Sequence, residues 1–207
     1  APRVLDCGGG SGSFAVPLAQ AGAQVTVVDI SADALATLRR RADESGVADR
    51  VEPLQADVEG LADAVEQSSF DLVLAHGILE AVDHVAPAFG SIAATVRPSG
   101  LLSVLVGNPV AVVLARALGG DVRAALVELR ALEAAFGPRA VLALAQSAGL
   151  QVEQVHGVGV FTELIPGSAL DAPGAAAALA DLEDESSVRP PLSEIASRVH
   201  VLARRPD

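Results

Sequence analysis

Apolar positions along this chain follow two rhythms. Short continuous runs at residues 4–5, 24–30, 50–55, 70–75 and 101–106 read as five strands, the third weaker than the rest. Phe70-Asp71-Leu72-Val73-Leu74-Ala75 is nearly uninterrupted, as in a parallel strand covered on both faces. Between these runs, residues 13–21, 32–45, a short stretch around Leu61 and Val65, and 85–96 space their apolar residues as helices do. Ser31 stands where the second helix needs an N-cap, and Gly46 where it must stop. Leu35 and Leu38 face inward from it. Strand alternating with helix predicts a doubly wound parallel α/β sheet joined by right-handed crossovers.

After residue 106 the rhythm changes. Residues 109–148 are rich in Ala, Leu and Val, read as mostly helical, and break at Gly119-Gly120 and Gly137-Pro138. A simple crossover needs about one helix, so this stretch reads as a helical insertion or lid after strand five. Residues 151–160 and 198–203 supply two late strands, making seven. Between them, 175–185 reads as a helix with an acidic face of Asp181, Glu183, Asp184 and Glu185. Pro190-Pro191 marks a loop, and no repeat of solenoid period appears.

Composition narrows the function classes. At 207 residues the chain reads as a single domain, 1–207, with room for a full core. Hydrophobic residues make up 51%, yet no apolar run is long enough to span a membrane. A net charge of −12 argues against a chain-wide nucleic-acid surface and leaves room only for a local basic patch. Met, Trp, Tyr and Lys are absent, and every basic residue is Arg. Arg39-Arg40-Arg41 reads as a solvated helix face. The one cysteine, Cys7, reads as a packed residue and excludes an internal disulfide. No targeting segment is visible, so the expected location is cytoplasmic.

The chemistry starts at Asp6-Cys7-Gly8-Gly9-Gly10-Ser11-Gly12, between the first strand and the first helix. Strand, glycine turn and helix let a backbone approach a ligand closely and offer it free N–H groups. Two readings fit. Gly10-x-Gly12-x-x-Ala15, with Asp29 about 20 residues on, matches the fingerprint of nicotinamide enzymes. Asp6-x-Gly8-x-Gly10-x-Gly12 instead resembles motif I of the class I S-adenosylmethionine methyltransferases. In that family the strand-end acid faces the cationic methionine end of the cofactor. An acid sits badly beside a pyrophosphate, so Asp6 favours the second reading.

The resemblance to that family continues in sequence order from Arg3 to Pro206. Asp29 ends the second strand, Asp57-Val58 follows the third, and Phe70-Asp71-Leu72-Val73 opens the fourth. Val96-Arg97-Pro98-Ser99-Gly100-Leu101 stands where the family has its turn before strand five, with Ser99 in place of a glycine. The resemblance implies a Rossmann-like seven-stranded sheet, mostly parallel with one late antiparallel strand. It also implies S-adenosyl-L-methionine as cofactor, held by Asp6, Gly8, Gly9, Gly10, Gly12, Asp29, Ile30, Asp57, Val58 and His76. Asp29 is the expected acceptor for the two ribose hydroxyls. Asp57 is expected to accept from the adenine amino group, the Val58 N–H to donate to the ring, and Ile30 to cover one ring face. The position of Asp57 equally permits a helix N-cap.

A narrower resemblance covers the second half. His76-Gly77-Ile78-Leu79-Glu80, Leu101-Leu102-Ser103-Val104-Leu105, Val155-His156-Gly157-Val158-Gly159-Val160-Phe161 and Arg198-Val199-His200-Val201-Leu202 resemble the bacterial tRNA 5-carboxymethoxyuridine methyltransferases. These esterify the carboxylate on a wobble uridine, and the resemblance makes His76 a cofactor contact. The chain departs from the subfamily at Ala81-Val82, where an aromatic is expected, and at Gly159, where an arginine is expected. A lysine-rich segment is missing as well.

The acceptor reading follows from these departures. A carboxylate acceptor is already ionised and needs no base, whereas a hydroxyl usually does. His76 and Glu80 are the titratable residues expected near the reacting end. His76 is read first as a cofactor contact, with a base or a strand-end cap as alternatives. His84, His156 and His200 are not spaced as ligands of one metal, so no metal is expected. The expected reaction is methyl transfer to a carboxylate or hydroxyl oxygen of a small molecule enclosed by residues 109–148. A tRNA acceptor is the alternative, and it would need Arg116, Arg123, Arg130 and Arg139 as its patch. A non-catalytic binding protein is a second alternative, because Phe14, Phe89, Phe136 and Phe161 are few and read as core.

Overall fold

The first strand, β1 (Arg3–Cys7), is apolar on both sides of its pleat, and Val4, Leu5 and Cys7 are all buried. The computed structural model describes residues 1–207. Six further strands follow: β2 (Gln24–Asp29), β3 (Val51–Gln55), β4 (Phe70–His76), β5 (Val96–Gly107), β6 (Gln151–Val158) and β7 (Arg198–Arg204). They form one sheet in the order β3-β2-β1-β4-β5-β7-β6. β1 pairs in parallel with β2 and with β4, and β2 with β3. β7 runs antiparallel to β5: Ser99 N donates to Arg205 O, and Arg205 N donates to Gly100 O. The seven-stranded Rossmann-like sheet expected from the sequence, with its late antiparallel strand, is what forms.

The chain divides into two compact units. The first comprises Ala1–Val104, Ala143–Glu153 and Leu202–Asp207. Within it, α1 (Ala15–Gln20) and α2 (Ala32–Glu44) bury Val16, Ala19, Leu35 and Leu38 against Val4, Val25 and Val27. Leu38 is fully buried, and truncating such a leucine to Ala typically costs about 2–5 kcal/mol. Ser31 caps α2 as expected, its hydroxyl accepting from Ala34 N at 3.2 Å. α3 (Leu61–Ala64) is a single turn, and α4 (Val85–Thr95) buries Phe89 and Ile92.

β5 begins five residues before the expected start. Ser99 adopts left-handed backbone (φ 60°) inside the strand, and its hydroxyl bonds Asp207 Oδ1 at 2.5 Å. The neighbouring Gly100 has no room for a side chain: an added Cβ would lie 2.8 Å from Arg97 O and 3.0 Å from Phe70 O.

The second unit comprises Leu105–Leu142 and Gln154–Val201. It opens with α5 (Pro109–Leu118) and α6 (Val122–Ala131), a hairpin broken at Gly119-Gly120, and later contains α8 (Ala175–Ser186). After the Gly137-Pro138 break, α7 (Pro138–Ser147) starts in this unit and continues from Ala143 in the first. Asn108 organises the start of α5. Its buried side chain accepts from Val110 N at 3.1 Å and donates to Glu194 O and Ala196 O, both at 2.8 Å. Every polar atom of that amide has a partner, as a buried amide requires.

Candidate cofactor site

The strand order reverses at β1, between β2 and β4, and a doubly wound sheet opens a crevice outside its strand ends at such a point. β1 leaves the sheet at Gly8, whose N–H donates to Val28 O at 2.7 Å. The loop then turns through Gly10 in left-handed backbone (φ 55°), which glycine adopts without the Cβ penalty. Gly10 N donates to Asp29 Oδ2 at 2.9 Å, and Ser31 N donates to Asp29 Oδ1 at 2.8 Å. One carboxylate thus fixes both the glycine loop and the start of α2.

The remaining glycines serve the loop's packing. A Cβ on Gly12 would collide with Leu38 of α2, and one on Gly9 would collide with the Asp6 carboxyl and approach Val27. Arg41 reaches the same loop, its Nη1 donating to Ser11 O at 2.9 Å and Ser11 Oγ at 3.3 Å. The arginine run is largely solvated, as expected, with Arg40 paired to Glu44 on the surface, and Arg41 is the member that turns inward. Cys7 is fully buried, and burial, with the Asp6 carboxyl second, pushes its thiol well up, so it packs and does not react.

Asp6 lies beneath the loop, 1% exposed, and its Oδ2 has no hydrogen-bond partner. Burial first, and the Asp29 carboxylate second, push its pKa up to about 7. An orphaned buried acid of this kind is stabilised when a cation comes to it.

A cleft of about 240 Å³ opens beside the loop, lined by Gly8, Asp29, Ile30, Asp57, Val58 and Ile78, with Ala81, Val82 and Asp83 at one side. Ile30 is 70% exposed, an apolar side chain with no protein surface to cover. Asp57 caps the short turn 58–60, its Oδ1 accepting from Glu59 N at 3.0 Å, and it also lines the cleft. His76, at the end of β4, is held by Ser103 Oγ at 2.8 Å from Nε2 and by the Phe14 ring, edge-on at 4.6 Å. Phe14 is 45% exposed, which corrects its assignment to the core; Phe89 is buried as expected.

Five predicted residues, Gly8, Asp29, Ile30, Asp57 and Val58, therefore meet at the cleft. Gly9, Gly10 and Gly12 build the loop, Asp6 lies under it, and His76 ends the adjacent strand. Ile78, Ala81 and Val82 also line the cleft, although their sequence carries no sign of it. Arg41 was missed because a run of three arginines carries no sign of which one turns inward. No group of three or more His, Cys, Asp or Glu is placed to hold a metal ion. No helix is long and apolar enough to cross a membrane.

An acid at each of three successive strand ends, a glycine loop and an exposed aliphatic side chain give this Rossmann-like crevice acceptors and an apolar face of the kind a nucleoside needs. The orphaned Asp6 suits a cationic cofactor and opposes an anionic pyrophosphate. Residues 4–100 match the family model of a methyltransferase domain. The chain is 28% identical to the tRNA 5-carboxymethoxyuridine methyltransferase of Escherichia coli strain K12, over 99% of this chain and 80% of the relative. It is 34% identical to a ubiquinone biosynthesis O-methyltransferase of Xanthomonas euvesicatoria, over 75% of this chain and 65% of the relative. In fold it resembles an S-adenosylmethionine-dependent methyltransferase from Mesorhizobium loti, with a TM-score of 0.67, 22% identity, and coverage of 99% and 91%. The chain belongs to the class I S-adenosylmethionine-dependent methyltransferases, and its cofactor is S-adenosyl-L-methionine. That sets aside the nicotinamide and non-catalytic alternatives.

Proposed function

We propose that this methyltransferase acts on an oxygen, carboxylate or hydroxyl, of a small-molecule acceptor, with residues 109–148 as a helical insertion or lid. The observation that carries this reading is a cavity of about 320 Å³ within the second unit, walled by Leu114 and Leu118 of α5 with Val160, Leu164 and Ile195. No Arg and no aromatic side chain lines it. Open, mainly apolar clefts near this size suit small molecules. A stacked nucleobase would want an aromatic platform and a basic groove.

The cofactor supplies an electrophilic methyl group on a good leaving group, so holding the partners in line is the protein's main task. Asp29 offers carboxylate lone pairs to the ribose hydroxyls while keeping Gly10 in place. Asp57 and the Val58 N–H read the adenine edge, and Ile30 covers its face. Asp6, once ionised, offsets the cationic end, and Gly8, Gly9, Gly10 and Gly12 keep the loop free of side chains. His76, oriented by Ser103, would contact the cofactor; for a hydroxyl acceptor its imidazole is the candidate base.

The second reading is a tRNA acceptor. The near-full-length similarity to the Escherichia coli tRNA methyltransferase favours it. So do Arg116, Arg123, Arg130 and Arg139, all exposed and unpaired. Labelled methyl transfer into a small-molecule extract and not into total tRNA is the expected result, and the converse overturns the proposal.

A further inference from the structure

Among the residues that line the cavity of the second unit, Glu163 alone is charged. Its carboxylate makes no hydrogen bond or ion pair within the protein. Around it stand Leu114, Ala115, Leu118, Leu164 and Ile195, an apolar surface that a hydrocarbon ring can cover while the exposed Glu163 carboxylate meets a charged group at its edge. Ser197 adds the one side-chain hydroxyl; it donates to Val158 O at 3.1 Å, which leaves its oxygen free to accept.

We infer that this cavity takes an apolar small molecule carrying a protonated amine, with Glu163 as its counter-ion. The inference rests on reading the cavity as the acceptor site. It narrows the acceptor oxygen to a hydroxyl, because a ligand carboxylate would meet the Glu163 charge with no cation to offset it.

Two features keep the cavity open and the turn beside it in place. Gly159 lies in its wall with left-handed backbone (φ 69°), and an added Cβ would sit 2.6 Å from Ser197 Oγ. No side chain can fill the space from that position. The following turn is held by Glu183 of α8, which was expected merely to decorate an acidic helix face. Its Oε2 accepts from Val160 N at 2.8 Å, while Oε1 accepts from Phe161 N at 2.8 Å and from Thr162 N and Oγ1, both at 2.7 Å. Burial alone would raise the Glu183 pKa, but the bonds from Thr162, Phe161 and Val160 outweigh it and hold it below the usual range. The turn that presents Glu163 is therefore fixed before any ligand arrives, which lowers the cost of binding.

Three probes with one ring and different charge test this on the full chain: cyclohexylamine, cyclohexanol and cyclohexanecarboxylate, followed by amide chemical shifts of Gly119, Gly159 and Leu164. The protonated amine should bind up to roughly fivefold more tightly than the alcohol, the gain of one solvent-exposed ion pair. The carboxylate should shift nothing. Glu163→Gln should bring the amine down to the alcohol's affinity, and Ala115→Phe, on a helix with no backbone constraint, should abolish both. Equal binding of all three probes, or an amine preference that survives Glu163→Gln, overturns the inference while leaving a small-molecule acceptor intact. Methyl labelling confined to tRNA overturns the acceptor-site reading itself.

Discussion

The Asp29 carboxylate accepts a hydrogen bond from the Gly10 amide at 2.9 Å, tying the end of the second strand to the glycine loop. Its other oxygen accepts from Ser31 N, so the residue expected to hold ribose also builds the site it serves. Truncating it removes a charged acceptor and releases the loop together. A hydrogen bond to a charged group is worth roughly 1.5–3 kcal/mol. Asp29→Ala should weaken S-adenosylmethionine binding by roughly tenfold or more, with the α/β circular dichroism retained. Asp29→Asn, which keeps one acceptor oxygen, should fall between. Calorimetry on the three proteins checks the order, and equal affinities would show that Asp29 is structural alone.

Gly10 turns in left-handed backbone toward the open side of the loop, where an added Cβ meets nothing nearer than Asp29 Oδ2 at 3.7 Å. A β-branched residue is strained at such a φ. Gly10→Val should therefore abolish cofactor binding while leaving the sheet folded. Gly12→Val is the contrasting variant: its side chain collides with Leu38, so the core should be destabilised and the melting temperature should fall. Retention of cofactor binding by Gly10→Val would reduce the loop to a plain turn.

Asp6 predicts a pH dependence with a definite sign. Its carboxyl is raised from the ordinary 3.8 to about 7 in the folded protein, by burial and then by Asp29. Between those values the native state keeps a proton that the unfolded chain has lost. Stability without cofactor therefore falls as pH rises through this window and levels off above about 7, where both states are ionised. A cation favours the ionised form, so cofactor affinity should rise between about pH 6 and pH 8. Asp6→Asn should flatten both trends, raising the melting temperature at neutral pH and weakening the cofactor. An unchanged pH profile in that variant would remove Asp6 from the site.

The parallel half of the fold was readable because buried strands write continuous apolar runs, and acids that end them stand out. Asp6, Asp29 and Asp57 were found that way. What stayed hidden depends on partners far away in sequence. Arg41 bonds Ser11 thirty residues back, and Glu183 holds a turn more than twenty residues back. Asn108 is buried against carbonyls at Glu194 and Ala196. None of these is periodic, and a polar residue on a helix face or before a proline looks the same whether it is solvated or engaged. The early start of β5 was hidden for a related reason. Ser99 carries a left-handed angle that the sequence would assign to a glycine turn outside the strand.

The acceptor is the last question, and salt separates its two answers. Phosphate contacts dominate RNA affinity and weaken linearly with the logarithm of salt concentration. Arg123 and Arg130 lie two turns apart on one face of α6, with Arg116 on α5 and Arg139 at the start of α7. Asp121, Glu128 and Glu133 interleave with them, and the chain as a whole carries −12. If all four arginines gripped phosphates, a fourfold rise in salt would lower tRNA affinity by several tens of fold. Replacing the four by Ala would remove that slope. With a small acceptor, methyl transfer should survive the four substitutions and vary little with salt, while Ala115→Phe abolishes it by filling the cavity. Transfer of labelled methyl into total tRNA and into a small-molecule extract, at two salt concentrations and with both variants, gives opposite patterns for the two. Salt-steep labelling of tRNA that disappears with the arginines, untouched by Ala115→Phe, would make RNA the substrate and leave the cavity without a catalytic role.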